Sequence, residues 1–81
     1  MERRRFQEPR TKGALIKRSF SLAGHATSVA LEAEFWRMLE ELAASRSTSL
    51  TRLLASLDAS RGERPLASAC RLAVLEFAKV R

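Results

Sequence analysis

The chain is poor in the residues from which small-domain chemistry is usually built. Its 81 residues include one cysteine, one histidine, three glycines, two prolines and no tyrosine. A lone cysteine, Cys70, cannot close an intrachain disulfide, so no covalent framework is available. With His25 the only imidazole and no Cys/His spacing of the zinc-binding kind, no metal site is expected. Three scattered glycines make no phosphate-cradling loop. There is no Ser/His/Asp spacing, and Glu40 and Glu41 are adjacent, so on a helix they diverge onto a solvated face. The expectation is therefore no catalytic residue, no cofactor and no enzyme. His25 beside Gly24 reads as a turn residue, and Cys70 as a small buried hydrophobe. No apolar run approaches the roughly 20 residues of a membrane span. The N-terminus lacks the apolar segment of a secretory signal, and Glu2, Glu8 and Pro9 fit a mitochondrial presequence poorly. With Phe6 and then Leu15-Ile16 as its only large apolar residues, the N-terminal segment is a poor membrane anchor. A cytoplasmic protein that does not bind membranes is expected.

What the chain does have is hydrophobicity and positive charge. Fifteen Lys/Arg against nine Asp/Glu give a net charge of +6, and 46% of residues are hydrophobic, too many for a disordered polycation. The length allows one small domain. A chain of this size buries only about 60% of its unfolded surface, so a self-contained core is marginal and a second copy is expected to complete it. The charge is unevenly placed. Residues 1–18 hold Arg3, Arg4, Arg5, Arg10, Lys12, Lys17 and Arg18 against Glu2 and Glu8, a local charge of +5. The remainder carries +1. Residues 1–16, with Pro9 and Gly13 as breakers, read as a flexible basic arm of the kind that tracks nucleic-acid phosphates.

Beyond the arm the hydrophobic period is first 2, then 3.6. Strands are expected at about 17–22 and 26–31 on either side of Ala23-Gly24, forming either a hairpin or one interrupted extended segment. In the second, Thr27, Val29 and Leu31 point one way and Ala26, Ser28 and Ala30 the other. Helices are expected at about 33–46, 49–61 and 65–80. In the first, Phe35, Met38, Leu39, Leu42 and Ala43 share a face, with Trp36 at its rim. Ser49 is a suitable N-cap for the second, whose Leu50, Leu53, Leu54 and Leu57 recur at i, i+3, i+4 and i+7. Arg61-Gly62 suits its C-terminus and Pro65 the start of the third helix. There Leu66, Ala69, Cys70, Ala73, Phe77 and Val80 form a stripe, with Leu72, Val74 and Leu75 partly off it.

The order strand, helix, turn, helix, with Arg18-Ser19, Leu22, Gly24-His25, Thr27-Ser28, Leu31-Glu32, Phe35-Trp36 and Ser49-Leu50 in sequence, resembles the ribbon-helix-helix superfamily of the Arc and MetJ repressors. Within it, the chain is most similar to a bacterial group with the pattern RSxxLxGHxTSxxLE…FW. The likeness covers roughly residues 17–79. It implies a mostly α fold with a short N-terminal β segment: an intertwined homodimer with an intermolecular antiparallel β-ribbon, here with an additional third helix. It implies a dimer core holding Thr27, Val29, Leu31, Phe35, Leu39, Leu42, Leu50, Leu54 and Leu57. Ala26, Ser28 and Ala30 would face the bases of double-stranded DNA in the major groove. Ser49 and the backbone N–H of Leu50 would hold a phosphate. The basic side chains of residues 1–18 would add phosphate contacts. The function implied is transcriptional regulation by a DNA-bound dimer.

Two features depart from the pattern. An Ala-Ser-Ala outer face lacks the long polar side chains that read bases, so weak base specificity is expected, or a reader strand that includes Lys17, Ser19 and Ser21. Ser47 stands where the turn between the first two helices usually carries glycine; if left-handed, it costs roughly 1 kcal/mol. The third helix, apolar on more than one side, leaves open a second reading: a protein-interaction or antitoxin-like adaptor whose third helix docks a protein partner.

Overall fold

The computed structural model describes residues 14–80. Its elements follow the order β1 (Leu15–Leu22), β2 (His25–Glu32), α1 (Ala33–Ser45), α2 (Leu50–Ser60) and α3 (Leu66–Lys79). Of the two readings of the N-terminal segment, the chain adopts the hairpin. β1 and β2 pair antiparallel from Leu22↔His25 to Leu15↔Glu32. The two-residue connection puts Ala23 at φ +53° and Gly24 at φ +82°. Two successive positive φ values define the type I′ turn, whose twist matches that of the flanking strands. Within the chain β2 has β1 as partner, which leaves the other edge of β2 for the expected intermolecular ribbon. In a two-stranded sheet, each strand keeps one outer edge.

β1 also starts earlier than expected. Leu15 and Ile16, the last residues of the expected arm, are strand residues: Ile16 pairs with Leu31 and its carbonyl accepts the Trp36 Nε1–H at 2.8 Å. The expected phosphate contacts Arg3, Arg4, Arg5, Arg10 and Lys12 lie outside the described residues.

The hairpin and three helices pack around a single core. Leu22, Val29, Leu31, Trp36, Leu39, Leu42, Ala43, Leu53, Leu54, Leu66, Ala69, Cys70 and Val74 are buried. Of the expected core residues, Thr27, Phe35, Leu50 and Leu57 are only half-buried. Phe35, Leu50 and Leu57 still pack against this core, and Trp36, expected at the rim of α1, is buried with its indole N–H on a β1 carbonyl. In α3 the buried line runs through Leu66, Ala69, Cys70 and Val74, since that helix packs against both α1 and α2. Val80, expected in the stripe, lies past the helix end and is 80% exposed.

The helix ends have local causes. α1 closes in a Schellman arrangement, with Ser47 N–H donating to the Ala44 carbonyl and Thr48 N–H to that of Ala43, both at 3.0 Å. This geometry requires a left-handed residue, and Ser47 supplies it at φ +53°. Two residues later Ser49 caps α2, its Oγ accepting the Arg52 N–H at 3.0 Å.

Candidate nucleic-acid interface

Residues directly opposed in an antiparallel pair point to the same face, so the register sorts the hairpin into two surfaces. One carries Ile16, Arg18, Phe20 and Leu22 with Leu31, Val29, Thr27 and His25. It supplies Leu22, Val29 and Leu31 to the core. The other carries Leu15, Lys17, Ser19 and Ser21 from β1 opposite Glu32, Ala30, Ser28 and Ala26 from β2. Ala30 and Glu32 are half-buried and the other six are exposed. Ser19 and Ser28 share a cross-strand hydroxyl hydrogen bond of 2.9 Å. The outer surface thus offers one ammonium, three hydroxyls that donate or accept and alanine methyls, with Leu15 and the Arg71-paired carboxylate of Glu32 at its end. It has no guanidinium or amide fork of the kind that discriminates guanine or adenine edges. Ala26, Ser28 and Ala30, expected to face outward, share this surface with Lys17, Ser19 and Ser21.

Arg18 is placed otherwise. The pleat turns it to the helix side, where its guanidinium carbon lies 4.9 Å from the Trp36 ring centroid and 5.8 Å from that of Phe20. Its Nη1 donates to Glu40 Oε2 at 3.0 Å. Composition grouped Arg18 with the phosphate contacts; the chain engages it with two rings and a carboxylate instead. Trp36 was the signal available in sequence, as an aromatic residue at a helix rim that a cation can stack upon.

At the second site, the N-terminus of α2, the Ser49 hydroxyl is committed to capping. The first-turn amides, that of Leu50 among them, have no intrahelical acceptor to use. The Leu50 side chain is half-buried, while Thr51 and Arg52 are exposed beside it. α2 also packs against β1, the strand whose buried residue is Leu22.

Two further clusters involve α3. Arg71 Nη2 donates to Glu32 Oε1 at 2.9 Å, and its guanidinium sits 5.4 Å from the Phe35 ring centroid. The Arg71 hydrogen bond holds the Glu32 carboxyl below the usual carboxylate range. Burial pushes the Cys70 thiol up to about 11. Between the C-terminal ends of α1 and α3 runs an open groove of about 550 Å³ lined by Leu42, Ser45, Arg46, Ala73, Glu76, Phe77 and Val80. Leu72 and Leu75 add exposed apolar surface to α3. Among the described residues no three His, Cys, Asp or Glu side chains group as metal ligands, and no helix is long and apolar enough to cross a membrane.

These elements are shared with other proteins. The ribbon-helix-helix domain model matches residues 15–78, from the first strand to the last turn of α3. Among solved structures, an uncharacterized protein from Bordetella pertussis Tohama I is similar, with 34% identity over 89% of this chain and a TM-score of 0.74. The chain spans 62% of that protein's length. No curated protein matches it. With the hairpin, the capped turn between α1 and α2 and the match over nearly the whole described region, the chain belongs to the ribbon-helix-helix domain family.

Proposed function

We propose that the protein is a dimeric DNA-binding regulator that lays the outer face of its hairpin on duplex DNA. The family is in general one of DNA-binding regulators. The observation that carries the reading is the two-sidedness of the hairpin. One face is spent on the core, while the other presents Lys17 and three serines, and its one acid, Glu32 at the far end, is ion-paired with Arg71. The first-turn amides of α2 and the basic N-terminal segment would supply phosphate contacts beside it.

Dimerisation is supported by the unequal protection of the two strand edges. β1 carries Lys17 and Arg18, charges of the kind that keep an edge from pairing. β2 carries neither lysine, arginine nor proline, and its first seven residues include no acid. A second copy pairing antiparallel along β2 satisfies that edge and brings two outer faces together. Light-scattering mass checks this directly, and a monomer would refute it.

DNA contact is tested by fluorescence anisotropy on a random-sequence duplex over a salt series, with the full chain and a chain lacking residues 1–13. Each phosphate contact contributes about 0.9 to the log–log salt slope. The expected result is affinity that falls steeply with salt, and a flatter slope for the truncated chain. Binding indifferent to salt, or no binding at low salt, would overturn the proposal. The α1–α3 groove and the exposed Leu72 and Leu75 favour one second reading, an adaptor that docks a protein on α3. Affinity capture distinguishes the two, since one enriches duplex DNA and the other a stoichiometric protein.

A further inference from the structure

The interaction between Trp36 and β1 joins the domain body to its most basic segment. Trp36 is 4% exposed, yet it sits on α1 with its indole N–H donated to the carbonyl of Ile16 at 2.8 Å. Two residues along the strand, the Arg18 guanidinium lies 4.9 Å from the same indole and donates to Glu40, also on α1. Phe20 continues the stack, its ring centroid 5.8 Å from that of Trp36. Residues 16, 18 and 20 of β1 are thus all fastened to one side chain.

A strand alternates its side chains, so anchoring residues 16 and 18 leaves residue 17 one direction only. Lys17 then projects from the outer face, opposite Ala30, whose methyl cannot obstruct it. The strand edge is otherwise weakly held here, since Leu15 and Ile16 are 57% and 43% exposed. At this end the buried side chains, Leu31 and Val29, belong to β2, and little hydrophobic burial fixes β1 itself. The directed contacts to Trp36 and Glu40 do so.

We propose that Trp36, acting through Ile16 and Arg18, is a positioning residue for DNA binding: it holds the N-terminal half of β1 on α1 so that Lys17 faces the duplex. The proposal rests on the DNA-binding reading above, and its test separates the two. Trp36→Phe keeps an aromatic ring but removes the N–H, and Lys17→Ala removes the ammonium. Three chains, the two single variants and the double, are measured on the same duplex over a salt series. One net contact is worth about a fivefold change in affinity. Lys17→Ala is expected to lower the salt slope by about 1. Trp36→Phe is expected to lower affinity and slope in the same direction, and to cost nothing further once Lys17 is gone. Losses that multiply independently in the double variant would overturn the positioning role.

Amide exchange on the free protein supplies the readout that needs no DNA. In Trp36→Phe the amides of residues 15–18 should exchange several-fold faster, while those near the Ala23-Gly24 turn keep their protection. Uniformly faster exchange would mean that Trp36 only stabilises the fold, which overturns the proposal. If Trp36→Phe does not fold, Arg18→Met tests the same anchor with the packing of the side-chain stem retained. Wild-type chain that binds no duplex, with exchange still local to residues 15–18, would refute the DNA-binding reading and the role of Lys17 while leaving the anchor itself established.

Discussion

Ser47→Gly should stabilise the protein, and the size of the gain can be worked from the backbone. Ser47 holds φ +53° at the residue after the α1 cap, where two hydrogen bonds to Ala43 and Ala44 require a left-handed conformation. That region costs an L residue about 1–2 kcal/mol. Glycine avoids the cost but loses more chain freedom on folding, which offsets about 0.5–1 kcal/mol. The net stabilisation is about 0.5–1 kcal/mol, because the exposed Ser47 side chain takes no part in the core. In urea, with a slope near 1 kcal/mol/M for a domain of this size, the midpoint should rise by about 0.5–1 M at unchanged slope. On heating, the same gain is about 3–6 °C. Protomer concentration must be fixed, since a dimer's stability depends on it. Ala44→Gly is the control. It lies within the α1 helix, where glycine should cost about 1 kcal/mol. Opposite signs at positions 44 and 47 are the expected signature. A Ser47→Gly midpoint at or below wild type, with the slope unchanged, would refute the claim that the turn is strained at this residue.

Ser49 allows capping and phosphate contact to be separated. Ser49→Ala should cost about 1 kcal/mol in a denaturation experiment, because the Arg52 N–H loses its acceptor. Ser49→Asp should restore that stability and weaken duplex binding, since the same carboxylate repels a phosphate at the helix start; unimpaired binding by the aspartate variant would remove this terminus from the interface. Cys70 predicts an alkaline effect. Its thiol titrates near an ordinary 9.0 when unfolded but at about 11 when folded. Between those values the unfolded chain gives up a proton that the folded one keeps, so stability present below pH 9 falls as pH rises, by roughly 2 kcal/mol at pH 11. Chemical denaturation at pH 8 and pH 11 should show this drop in wild type and a smaller one in Cys70→Ala. Glu32 gives the opposite slope. Its depressed carboxyl contributes stability above the ordinary value of 4.5 that is lost as pH falls through the lower folded value. Glu32→Gln should accordingly flatten the acid limb of a stability profile, and an unchanged limb would argue that the Arg71 pair contributes nothing.

The periodicities carried most of the architecture. Alternation along Ala26–Leu31 assigned both faces of β2, and the register agrees residue by residue. The capping serine and the glycine and proline around α2 and α3 bounded the helices to within one or two residues. What the sequence left undecided was non-local. Hairpin and interrupted strand differ by the φ of Ala23, and alanine is a poor advertisement for a left-handed turn. Phe35 and Trp36 are neighbours of similar hydrophobicity. Which turns inward depends on a carbonyl 20 residues away that only one of them can reach. The direction of Arg18 is hidden for a related reason: net charge counts cations without asking which way the pleat turns them. Its alternate neighbour Lys17 carries the same charge and faces the other way.

The hairpin also changes what kind of DNA reader this can be. Strands lie about 4.8 Å apart, so a two-stranded ribbon fits a major groove about 12 Å wide. If a second copy pairs along β2, the sheet has four strands, and the axes of the outer two lie about 14 Å apart, wider than the groove. Only the central pair of β2 strands can then enter, and that pair carries Ala26, Ser28 and Ala30 outward. Small side chains on the inserted strands are what close approach to the groove floor requires, whereas arginine or glutamine would hold the wider sheet away. The two β1 strands are left over the groove walls, where the phosphates are. Lys17 sits on β1, as do Ser19 and Ser21, and the basic residues 1–13 precede it in the chain. On this geometry the Ala-Ser-Ala face is a consequence of the hairpin rather than a defect in a two-stranded reader. In such a dimer affinity would come from the outer strands and the N-terminal segment, and the central strands would contribute fit and little base discrimination.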